Sequence, residues 1–122
     1  MAIIYHIARR SVWEAAVPAG CYAADSLSSE GYIHCSTAAQ LLATANRLFR
    51  GRTDLVLLCI DTDLVQPEIR YENLEGETSL FPHVYGPLAT GSIRAVHAFR
   101  PLADGSFELP AELSSTPVNS VR

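Results

Sequence analysis

The stretch DLVLLCI, Asp54 to Ile60, constrains the fold more than any other, because it is a continuous apolar run bounded by polar residues. A run this short and unbroken suits a β-strand buried on both faces, since a half-buried strand would alternate apolar and polar positions. The chain has 122 residues, 48% of them hydrophobic. That is long enough for one core that buries roughly two-thirds of the unfolded surface. We expect a single globular domain over residues 1–113 and a flexible C-terminal tail over residues 114–122.

The other elements are read from period and punctuation. Ile3 to Ala8 alternates as a strand, with Ile4, His6 and Ala8 on one face. SVWE offers a capping box, Ser11 reaching forward and Glu14 back, for a short helix closed by Pro18 and Gly20 and anchored by Trp13. ADSLSSE reads as a polar stretch. EGYIHCS, residues 30–36, reads as a strand. In STAAQLLATANRLFRG, Ala38, Leu41, Leu42, Ala45, Leu48 and Phe49 recur at helical spacing. Thr37 and Gln40 form a second capping box there, and Gly51 is placed to end the helix in the left-handed conformation. PEIRYE predicts a strand over Glu68 to Glu72, and NLEGETSL a loop. FPHVYGPL predicts an extended edge or structured loop, SIRAVHAFRP another strand, and DGSFELP a turn entering a last short strand.

Nine basic residues stand against thirteen acidic ones, a net charge of −4, and all nine are arginines. This argues against a general nucleic-acid surface, though not against one local phosphate site. Schiff-base chemistry is excluded, because it needs a lysine amine. MAIIYHIARR lacks a basic leader, a long apolar stretch and a small-residue cleavage site, and no window reaches the length of a membrane span. Cys21, Cys35 and Cys59 form an odd set without CxxC spacing, each among apolar neighbours, so we expect core residues in a reducing cytoplasm.

The side-by-side histidine and cysteine of EGYIHCS invite a metal or redox reading. Successive strand side chains point to opposite faces, so Tyr32, His34 and Ser36 share one side while Ile33 and Cys35 pack on the other. His6 and the pair His83 and Tyr85 occupy similar settings in two other extended segments, and the three histidines are candidates for a shared pocket. A satisfied structural histidine is the plainer alternative for each, and His97, among small and apolar neighbours, is read as structural. Glu72 shares a face with Arg70 and Glu68, which describes a solvated strand face unless that strand lies beside the histidines. Glu75 and Glu77 make a weak E-x-E spacing. Zinc held by His6, His34 and His83 has no local spacing motif behind it, and no metal is expected. Ser36 is either a ligand contact or the cap or pre-cap of the following helix, whose N-terminus would suit a phosphate or carboxylate.

Taken in order, IYHIA, SLSSEGYIHCS, ANRLF, DLVLLCID, IRYE, FPHVYGPL and DGSFELP resemble the bacterial family called domain of unknown function 952, over about residues 3 to 110. The resemblance implies a fold similar to that of ADP-ribosyltransferases: α+β, with split, mostly antiparallel sheets and two or three packed helices. In those enzymes a first-strand histidine holds a ribose hydroxyl, a later polar or aromatic residue frames nicotinamide, and a late carboxylate supports the transition state. By that resemblance His6 takes the first role and His34 the second, while the third falls to Glu72 or to His83 with Tyr85. A related branch, similar to RNA 2′-phosphotransferases, works with histidine and arginine and without the carboxylate. The resemblance implies a small, nucleotide-like ligand, NAD as substrate, and no tightly bound cofactor. A non-catalytic module for ADP-ribose or another phosphorylated metabolite is the alternative. Expected catalytic residues are therefore His6, His34, Glu72 and His83, with Tyr32, Ser36 and Tyr85 as ligand-binding residues.

Overall fold

The computed structural model describes residues 2–73, 76 and 79–114. Its middle layer is a three-stranded antiparallel sheet in the order β1 (Ile3–Arg9), β4 (Leu55–Asp61), β8 (Ile93–Ala98). All seven residues of β4 are buried, as its continuous apolar run predicts. The pleat divides them: Val56, Leu58 and Ile60 join Ile4 and Ala8 in one apolar cluster. Leu55 and Leu57 join Phe99, Phe107, Leu41 and Ala45 in a second cluster on the other side. Each fully buried leucine here stabilises the fold by about 1.5–3 kcal/mol.

Helix α3 (Ala38–Leu48) covers the second cluster with Leu41 and Ala45, and its start follows the capping-box prediction, with the Thr37 N–H donating to Gln40 Oε1 at 3.0 Å. Helix α1 (Arg10–Ala19) and helix α2 (Asp25–Glu30) flank the first cluster, with Trp13 of α1 and Leu27 of α2 packed against it. A two-stranded ribbon joins β2 (Cys21–Tyr22) to β7 (Leu88–Ala89). A second three-stranded sheet has the order β3 (Ile33–His34), β6 (Phe81–Val84), β5 (Ile69–Glu72). Its Ile33 and Val84 enter the first cluster, with Ile69 packed against it. A four-residue α4 (Ala111–Ser114) ends the described chain. The architecture is thus α+β with antiparallel sheets, three of them among the described residues. No described helix is long and apolar enough to cross a membrane.

Several local expectations are corrected. Ser11 and Glu14 form no cap: β1 keeps its bond to the neighbouring strand segment as far as Arg10, whose N–H donates to the Asp54 carbonyl at 2.7 Å, so the helix starts two residues earlier with Arg9 as N-cap. Gly20 does close α1, at φ 77°, where a side chain would be strained. Gly51 is left-handed too, at φ 81°, but it lies in the turn beyond the helix, which ends at Leu48 with Phe49 as C-cap. Asp25 to Glu30 is helical although its composition reads as a polar stretch. FPHVYGPL is no edge: β6 is the central strand of its sheet, and Pro82 contributes its carbonyl, which accepts from the Cys35 N–H at 3.0 Å. DGSFELP enters no strand, because Phe107 turns inward to stack on Phe99 at a centroid distance of 4.7 Å. Cys21 is exposed, whereas Cys35 and Cys59 are buried as expected. Ser114 belongs to α4, and the rest of the tail, with Glu75 and Glu77, lies outside the described residues.

Candidate functional site

The second small sheet has one apolar and one polar face. Register places His34, His83 and Arg70 in a row across it, while Ile33, Val84 and Ile69 form the row on the other face. His34 and Cys35 therefore do point apart, and burial pushes the Cys35 thiol well above its ordinary range, as for an inert core residue. Cys59 is pushed up to about 11 for the same reason.

On the polar face the ring centroids of His34 and His83 are 5.4 Å apart. Tyr32 stacks on His83 at 4.1 Å and meets His34 edge-on at 4.9 Å. Glu72 lies within the same group, because β5 pairs with β6: its Oε2 accepts from His83 Nδ1–H at 3.0 Å and also from the Tyr85 hydroxyl. Those two bonds, the tyrosine's first, hold the Glu72 carboxyl below its ordinary range, and the same carboxylate raises Tyr85. An ionised carboxylate only accepts, so Nδ1 of His83 carries a proton. Arg70 lies over the Tyr85 ring, 4.5 Å from its centroid, and Glu68 pairs with Arg70 at 3.0 Å. The Glu72 face is thus a bonded network beside the histidines rather than a row of solvated charges. His34 is more open, with 37% of its side chain exposed, and meets Glu30 at 3.1 Å.

His6 is different. It is buried at 7% exposure, and both ring nitrogens are engaged: Nδ1 with the His34 carbonyl at 2.6 Å and Nε2 with the Tyr22 hydroxyl at 2.7 Å. A carbonyl can only accept, so Nδ1 donates and Nε2 accepts from Tyr22, which fixes one neutral tautomer. Burial pushes the imidazole down to about 4, and burial likewise raises Tyr22. The ring ties β1 to β3 at His34 and to the β2 ribbon.

A cleft of about 410 Å³ runs along the free edge of β1, between the C-terminal half of α3 and the segment that carries His34. His6, His34, Ser36, Glu72 and His83 line it; Tyr32 and Tyr85 do not, and act on it through His83 and Glu72. Ser36 is the pre-cap residue of α3, and its N–H and C=O exchange bonds of 2.8 Å with those of Tyr5. That exchange settles which main-chain groups face the cleft. With Tyr5 turned outward, strand alternation turns Ile7 outward too, and among the described residues its N–H and C=O have no backbone partner. The α3 N-terminus, expected beside the site, is instead occupied by Gln40, whose amide also donates to the Leu80 carbonyl at 2.6 Å. His97 lies across from Leu57, on the opposite face of the first sheet from His6. Among the described residues no group of three or more histidine, cysteine, aspartate or glutamate side chains is arranged to hold a metal ion.

Sequence reading missed Tyr22, the Ile7 edge and three arginines in the cleft wall, Arg9, Arg47 and Arg52. A buried polar residue needs a partner, so the parity that buried His6 was the signal for Tyr22.

No curated protein matches the chain. Among solved structures it resembles the crystal structure of protein CC0527 from Caulobacter crescentus, at 31% identity and TM-score 0.79, over 88% of this chain and 94% of that one. The solution NMR structure of CC0527 matches with the same identity and TM-score, over 93% of this chain and 98% of that one. A family model described as a protein of unknown function, DUF952, matches residues 7–96, and the chain therefore belongs to the DUF952 family.

Proposed function

We propose that this protein is a transferase acting on a nucleotide of the NAD type, in a fold of the ADP-ribosyltransferase kind. The observation that carries the reading is the pairing, in one cleft, of an outward Ile7 main-chain edge with the Glu72–His83 dyad. A carboxamide such as that of nicotinamide offers one acceptor and one donor, the complement of the Ile7 N–H and C=O. In the proposed step the bond from ribose C1′ to the nicotinamide nitrogen breaks, and nicotinamide leaves with the electron pair. A hydroxyl of the acceptor, or water, forms the new C1′–O bond, and its proton passes to His83 Nε2, with Glu72 stabilising the resulting imidazolium. His34 stands beside His83 to orient the ligand, and His6, with no ring nitrogen to spare, holds the cleft wall in place. A cytoplasmic setting belongs to this reading.

The occupied nitrogens of His6 favour a second reading, a non-catalytic module that binds ADP-ribose or another phosphorylated metabolite in the same cleft. A thermal-shift panel of NAD, ADP-ribose and simple nucleotides tests what both share. A ligand at about a hundredfold over its dissociation constant adds about 2.7 kcal/mol. For a domain of this size that raises the melting point by roughly 10 °C. His34→Ala should cut the shift by at least half while leaving the ligand-free melting point within about 2 °C, because its side chain is partly exposed. A panel in which nothing shifts the native protein would overturn both readings. Nicotinamide release from NAD separates the transferase from the module.

A further inference from the structure

One end of the cleft carries charge that the histidines do not account for. Cleft-lining residues of β1 run from Tyr5 to Arg9, four residue rises or about 13 Å. The Tyr5 end is tied to Ser36 and, through His6, to His34. At the other end, where the Arg10 N–H meets the Asp54 carbonyl, Arg9, Arg47 in the last turn of α3 and Arg52 in the turn beyond it all line the wall. A third of the nine arginines of a net-negative chain thus edge one end of one cleft.

Exposed carboxylates hold Arg9 and Arg52. Arg9 bonds Asp25 at 2.8 Å, and Arg52 bonds Asp54 through Nε and Nη2 at 3.0 and 2.9 Å. Side chains in these pairs are 44–86% exposed, so water screens both and a more highly charged anion can displace the carboxylates. Phosphate oxygens match the guanidinium fork as well as a carboxylate does and carry more charge, so exchange favours a phosphorylated ligand. Asp25, which also lines the cleft, and Asp54 offset two of the three positive charges, and the C-terminus of α3 opposes the third with about half an elementary negative charge, so the end stays net positive.

We propose that the arginine end is a diphosphate subsite: Arg9, Arg47 and Arg52, with Arg9 exchanging Asp25 and Arg52 exchanging Asp54, take the phosphates of a nucleotide whose reactive end lies against Ile7 and the Glu72–His83 dyad. The orientation rests on the function proposed above; the subsite does not, and inorganic pyrophosphate probes it directly. Calorimetric titration at low salt should show saturable binding to the native protein and to Arg100→Ala, which is exposed and outside the cleft. Binding should weaken about tenfold or more in Arg47→Ala and in Arg52→Ala, and should weaken with added salt in the native protein. Absence of saturable binding, or equal affinity in all four proteins, would overturn the subsite. Pyrophosphate binding with this pattern beside a silent nucleotide panel would leave the subsite standing and remove the NAD reading.

Discussion

Lowering the pH from 6.5 to about 4 should destabilise the protein by about 3 kcal/mol through His6 alone, because one pKa unit is worth about 1.4 kcal/mol. The unfolded chain takes up a proton on this imidazole below its ordinary value of 6.5, whereas the folded protein resists until about 4. Within that window the unfolded state binds more protons, so stability rises with pH and is fully present at pH 7. Glu72 contributes in a separate window, because its depressed pKa makes its stabilisation fade only as pH falls below the ordinary carboxylate value of 4.5. Urea unfolding at half-unit pH steps checks this. His6→Gln should remove the His6 part of the slope whatever its stability at pH 7. His6→Ala should also cost about 3–5 kcal/mol at pH 7, since it leaves the Tyr22 hydroxyl and the His34 carbonyl unpaired in a buried site and opens a cavity. A native slope that persists unchanged in His6→Gln would show that this ring is not held neutral.

Glu72→Gln should lower nicotinamide release from NAD by about a hundredfold while changing NAD affinity less than about threefold, the size of effect expected when a proton-transfer group loses its orienting charge. Glu72 Oε2 accepts from both Tyr85 and His83, and the amide oxygen of glutamine can accept the same two bonds, but it carries no charge to stabilise an imidazolium. Tyr85→Phe should act more mildly and through the pH profile. Without its hydroxyl, the chief cause of the lowered Glu72 pKa, the acidic limb of the rate profile should move upward. Native protein that binds NAD but releases no nicotinamide would select the binding module instead. Equal rates for native protein and Glu72→Gln would remove Glu72 from the mechanism.

What was legible in the sequence was whatever is local in cause. The unbroken apolar run of β4, the helical spacing and capping box of α3, and the pleat that sends His34 and Cys35 apart each depend on neighbours a few residues away. The parity of β1 foresaw that His6 lies with Ile4 and Ala8. Elements that depend on distant partners were hidden. Helix α2 is polar and six residues long; it is held by Arg9 on Asp25 and by the Ser26 hydroxyl on the Tyr32 carbonyl, neither visible as periodicity. The central place of β6 follows from pairing with segments about fifty and about twelve residues earlier, and its proline reads locally as an edge signal. Glu72 could be read as solvated or functional until its strand was seen beside His83. The arginine end draws on a strand end, a helix end and a turn, and no spacing rule joins them.

Titration of isotope-labelled protein with NAD, followed by amide and imidazole NMR, tests the central claim most directly, namely that the ligand lies along the β1 edge between the arginines and the Glu72–His83 dyad. The account predicts saturable shifts that are largest at the Ile7 amide, the His34 and His83 rings and the Arg52 Nε–H. Saturable shifts confined to other surfaces, such as β8 or the β2 and β7 ribbon, with Ile7 and His83 unmoved, would contradict it.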